Sequence, residues 1–106
     1  MYKKLANREN RNINNVKGEK MKELIFKIND KNGLHARPAG VLSESARKYK
    51  SDIMVRCDEK EANAKRLLSL MALGATNGKE LHITINGEDE NEAEVAIKSV
   101  LEKALG

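Results

Sequence analysis

The chain predicts an α+β open-faced sandwich, a sheet that carries its helices on one side. Three features support this. Short runs with an apolar residue at every second position recur along the sequence, the period of strands with one buried face. Between them lie runs at helical spacing, in the order β-α-β-β-α-β-α. Each strand run has a single apolar face, so the sheet needs a covering layer on one side only.

Residues 22–28 point Leu24, Phe26 and Ile28 inward. The strand ends near Asn29, Asn32-Gly33 forms a turn, and a helix opens at about Ala36 and runs to Tyr49, with Ala39, Leu42, Ala46 and Tyr49 at its spacing. Residues 52–57 alternate again through Ile53, Val55 and Cys57, and a polar turn at Asp58-Glu59 leads into a short partner strand at 60–64. Residues 65–74 form a short helix that stops at Gly74. Leu70 and Leu73 are spaced to pack inward, which leaves Leu68 and Met71 outward and Leu67 at the margin. Loop residues 75–78 could cover these side chains; otherwise they form an exposed apolar patch.

Residues 80–86 alternate Leu81, Ile83 and Ile85 against His82, Thr84 and Asn86. His82 therefore faces away from the core, with no partner evident in the sequence, and reads as a surface histidine. Gly87 turns the chain into a last helix at 90–105, which buries Ala93, Ala96, Ile97, Val100, Leu101 and Ala104. Asp89, Glu90, Glu92 and Glu94 crowd its first turns while Lys98 and Lys103 come later, an order that suits the helix macrodipole better than paired acid–base catalysis.

The 106 residues leave room for one domain. Aromatic side chains are confined to Tyr2, Phe26 and Tyr49, so the core must be aliphatic. No apolar run approaches the roughly 18 residues that span a bilayer, and no apolar leader opens the chain. Cys57 is alone and inward-facing, which fits packing rather than a disulfide or zinc site and makes a reducing cytoplasm the expected setting.

The net charge of +4 suggests nucleic acid until it is divided. Residues 1–20 hold six basic side chains (Lys3, Lys4, Arg8, Arg11, Lys17, Lys20) against two acidic ones (Glu9, Glu19), leaving 14 of each sign for residues 21–106. The first 20 residues lack periodicity and are expected to be a disordered basic extension. A basic arm for nucleic acid is one reading of them. The other is that translation starts at Met21, because Lys17-Gly18-Glu19-Lys20-Met21 back-translates to a ribosome-binding sequence ahead of a start codon. The neutral domain, without aromatic stacking platforms, argues against a nucleic-acid module. The expected division is an extension at 1–20 and a folded domain at 21–106.

The chemistry concentrates in Asn32-Gly33-Leu34-His35-Ala36-Arg37-Pro38-Ala39-Gly40. Pro38 is tolerated in a first helical turn, where its missing N–H would lack a partner anyway. His35 then sits at or just before the N-cap, beside free backbone N–H groups and the positive end of the helix. Arg37 adds a guanidinium matched to phosphate oxygens. The triplet His-x-Arg alone would also fit a capping or surface histidine. The longer stretch Gly33-Leu34-His35-Ala36-Arg37-Pro38-Ala39 resembles the active-site signature of the histidine-containing phosphocarrier (HPr) family of the bacterial phosphoenolpyruvate–sugar phosphotransferase system. The resemblance runs without gaps from Met21 to the end.

That resemblance implies four antiparallel strands backed by three helices. It implies a carrier, rather than a free-standing enzyme, that accepts a phosphoryl group from enzyme I and passes it to the IIA domain of a sugar transporter. His35 would be the phosphorylated nucleophile through its δ nitrogen. Arg37 would contact the phosphoryl oxygens, and the Ala36 and Arg37 amides would complete the cradle. Leu67, Leu68 and Met71 would form the apolar ring that both partners touch. No metal or organic cofactor is implied, and a cytoplasmic monomer without membrane insertion suits a shuttle. The alternative within the family is a regulatory paralogue that binds a transcription factor or metabolic enzyme with little transport flux. One departure matters: family members commonly carry a serine after a lysine at the start of the second helix, the target of a regulatory kinase, whereas here Lys65 is followed by Arg66. Kinase control at this position is therefore not expected. Gly40, just inside the first helix, is expected to mark close packing or partner approach.

Overall fold

The computed structural model describes residues 21–106; the expectations for residues 1–20 lie outside them. The elements follow in the order β1 (Lys22–Lys27), α1 (Ala36–Ala46), β2 (Asp52–Cys57), β3 (Lys60–Asn63), α2 (Leu67–Met71), β4 (Glu80–Asn86) and α3 (Glu90–Leu105). The strands form one antiparallel sheet ordered β1-β4-β2-β3. One register row, Leu24–Ile83–Val55–Ala62, crosses all four strands on the core face, because side chains two apart share a face. The next row, Ile25–His82–Arg56–Glu61, lies on the opposite, open face. His82 does have a neighbour, the Glu80 carboxylate 3.7 Å from its Nε2, a contact between residues of one strand face that periodicity alone did not single out.

The core is aliphatic. Ile28, Leu42, Ile53, Val55, Leu70, Leu81, Ile83, Ile85, Ile97, Leu101 and Leu105 are its fully buried large side chains, with Cys57 packed among them. On α3 the buried row is Ala93, Ile97, Leu101 and Leu105. Ala96, Val100 and Ala104, expected inside, are only half-buried, and Leu105 takes the last core position.

Element ends differ from the periodicity for reasons visible in the hydrogen bonds. Ile28 leaves the β1 ladder because its N–H donates to the Lys79 carbonyl at 2.9 Å and its carbonyl accepts from Gly78 at 2.8 Å. Helix α1 closes at Ala46, after which Lys48 and Tyr49 donate to Ser45 and Ala46, the tighter pattern of a fraying helix end. Helix α2 is shorter than residues 65–74 at both ends. The Asn63 side chain accepts from the Lys65 N–H at 2.9 Å and holds Lys65-Arg66 in a turn, while Leu73 donates to Leu70 before Gly74 (φ +66°) ends the run.

Candidate functional site

The segment between β1 and α1 is fixed to the body at successive points. The Asn29 and Asp30 amides donate to the Leu105 carbonyl at 2.8 and 3.1 Å, which joins it to the end of α3. An Asp30 carboxylate oxygen accepts the Asn32 N–H at 2.7 Å, an Asx turn, and Gly33 follows at φ +67°. Leu34 is buried and donates to the Ala75 carbonyl at 2.8 Å. His35 thus emerges from a loop tied to α3 on one side and to the α2–β4 connection on the other.

His35 is the N-cap of α1, with extended backbone (φ −88°, ψ −171°) and no capping hydrogen bond from its side chain. Its ring is half-buried, not lost in the core. Its carbonyl accepts the Ala39 N–H at 2.9 Å, the first bond of the helix. Pro38 has no N–H to offer, so the amides of Ala36 and Arg37 are the remaining donors of the first turn. Neither donates to a carbonyl among the described residues. His35 and Arg37 line the same open cleft of about 530 Å³, together with Asp30, Asn32, Pro38, Val41, Val100, Lys103 and Ala104. The arrangement gathers an uncommitted imidazole, two backbone donors at the positive end of a helix, and a guanidinium. It can receive an oxyanion held at a nitrogen nucleophile.

Helix α2 packs beside α1. Leu70 is fully buried there and Leu73 nearly so, whereas Leu67, Leu68 and Met71 are exposed, Leu68 by 79%. The loop 75–78 leaves them uncovered. Arg66 is the N-cap of α2, exposed, and makes no capping hydrogen bond through its side chain.

Two local expectations need correction. A Cβ added at Gly40 would meet nothing within 4 Å, so close packing is not why that residue is glycine. Asp89 does more than complement the α3 macrodipole: its carboxylate accepts the Lys50 N–H (2.8 Å), the Ser51 N–H (2.9 Å) and the Ser51 hydroxyl (2.5 Å). These bonds, the hydroxyl first, hold the Asp89 carboxyl below its ordinary range. Glu90 is also engaged, accepting the Gly87 N–H at 3.1 Å. The cleft residues contributed by α3 were missed as well. Lys103 lies far along the chain from His35, and no local pattern signals their meeting.

A small sheet-and-helix domain that presents one histidine at a helix N-terminus is the kind of structure a phosphoryl carrier needs. Residues 22–103 match the family model described as the phosphotransferase-system HPr component phosphorylation site. The chain is 42% identical over 84 residues to the phosphocarrier protein HPr of Mycoplasma genitalium, covering 78% of this chain and 96% of that one. It is 42% identical over 74 residues to the HPr of Mycoplasma capricolum, covering 70% and 83%. A solved mycoplasma histidine-containing phosphocarrier superposes with a TM-score of 0.76 at 39% identity, covering 79% of this chain and 97% of that one. The chain belongs to the HPr phosphocarrier family of the phosphotransferase system.

Proposed function

We propose that His35 accepts a phosphoryl group from enzyme I and passes it to a sugar-specific IIA domain in the cytoplasm. The observation that carries this reading is the opening of His35 and Arg37 into one cleft, beside the two uncommitted amides of the α1 N-terminus. A neutral imidazole carries a ring-nitrogen lone pair that can attack phosphorus. The ring nitrogen forms a bond to phosphorus as the bond from phosphorus to the donor breaks. The Ala36 and Arg37 N–H groups and the Arg37 guanidinium meet the phosphoryl oxygens.

Modest stabilisation suits a carrier. An exposed helix end favours an anion by about 0.3–1 kcal/mol, and an exposed ion pair adds a similar amount. A deeper well would slow the onward step. Leu67, Leu68 and Met71, exposed on the neighbouring helix, supply the apolar contact for donor and acceptor.

Incubation with phosphoenolpyruvate and enzyme I should place an acid-labile phosphate on the protein, absent from His35→Ala, and a IIA domain should discharge it. Arg37→Ala should slow the exchange about two- to fivefold, the equivalent of losing an exposed ion pair of at most about 1 kcal/mol. Label retained in His35→Ala would refute the assignment of the nucleophile.

A further inference from the structure

The cleft at His35 continues away from α2 and runs between α1 and α3. We propose that it is a second docking surface for the protein that exchanges the phosphoryl group, taking an acidic side chain of that partner on Lys103 and an apolar one on Val41, Val100 and Ala104. The inference rests on the carrier reading above and extends it to a face that α2 does not reach.

The floor is the first argument. Val41 is 45% exposed on α1, and Val100 and Ala104, beside the buried α3 row, pack against the core with only part of their surface left to the cleft. These apolar surfaces line one cleft that no side chain of the described residues fills, so a partner's apolar side chain would remove them from water.

Charge is the second argument. Arg37 and Lys103 line the cleft, and among the described residues no carboxylate lies within ion-pair distance of either. Asp30, the acid on the rim, keeps its charge while accepting the Asn32 amide, so the lining holds two cations against one carboxylate. The cleft therefore presents more positive charge than it neutralises, which favours an acidic visitor. Position is the third. The cleft opens on the imidazole itself, so any protein that brings phosphorus to His35 covers its mouth.

The test measures steady-state exchange with enzyme I as donor and with a IIA domain as acceptor, for wild type, Lys103→Glu and Lys103→Arg. Lys103→Glu should raise the KM for the carrier about 3- to 10-fold in at least one direction, with kcat within about twofold. Lys103→Arg should restore it, and added salt should raise the wild-type KM more steeply than that of Lys103→Glu. An unchanged KM in both directions overturns the proposal. So does a change confined to melting temperature, which would leave Lys103 as a complement to the α3 dipole. Faster hydrolysis of the phosphorylated Lys103→Glu protein without partner, at unchanged KM, would assign the lysine to the phosphoryl group and also overturn it. Failure of the wild type to take up any label is a separate result that removes the carrier reading itself.

Discussion

Gly33 and Gly40 bracket the candidate site and answer to opposite physics. Gly33 combines φ +67° with a backbone approach so close that an added Cβ would lie 2.5 Å from the Ala75 carbonyl oxygen. That oxygen accepts the Leu34 N–H, so the strain would fall on the bond that sets the approach to His35. Gly33→Ala should cost about 2–4 kcal/mol in urea denaturation, from left-handed backbone and steric overlap together. Gly40→Ala should instead stabilise by about 0.5–1 kcal/mol, because the added methyl meets open space in a helix. If that stabler variant exchanges phosphate with a raised KM, the glycine serves partner approach. The placement of His35 and Arg37 at the start of α1 was legible in the sequence because their whole local context is contiguous. Close packing at Gly40 was not borne out, because the room around a helix position depends on residues that the local pattern does not contain.

At the scale of the element, α2 turns one face to the core and the other to the proposed docking surface. Leu70→Ala should lose about 2–5 kcal/mol, since its side chain is fully enclosed. Leu68→Asp should leave the denaturation midpoint within about 0.5 kcal/mol of wild type and raise the KM for enzyme I about tenfold, since its side chain faces solvent. Equal effects of the two variants on stability would contradict the assigned faces.

The turn that joins α1 to β2 depends on Asp89 in a different way. Its folded carboxyl titrates below the unfolded one, so its contribution is fully present above the ordinary carboxylate range and is lost as pH falls through the folded value. Stability should therefore decline as pH drops below about 4. Asp89→Asn should be less stable at pH 7 and show a shallower acid decline, as followed by thermal melts across pH. The sequence placed Asp89 at the right helix end but gave no sign of the Lys50–Ser51 clamp, a contact between distant parts of the chain.

For the whole molecule, the order of elements and the sidedness of the sheet were readable because each strand alternates cleanly and each long helix carries one apolar stripe. What was not readable is how α1 and α3 meet. Helical spacing placed Val100 and Ala104 inside, and they do pack against the core, but part of each side chain also lines the cleft. Among the described residues, no helix is long and apolar enough to cross a membrane. The same packing bears on the proposed division of the chain at Met21. Among the described residues the buried side chains run from Ile28 to Leu105, and the family match spans 22–103. All of the excess positive charge lies in residues 1–20. A chain begun at Met21 should therefore melt within about 2 °C of the full chain, less than the shift from losing 1 kcal/mol, and take phosphate from enzyme I at the same rate. It should also bind DNA less at low salt, because six basic side chains are gone. A large drop in melting temperature would make those first residues part of the folded unit, and slower exchange at unchanged stability would make them part of the partner interface.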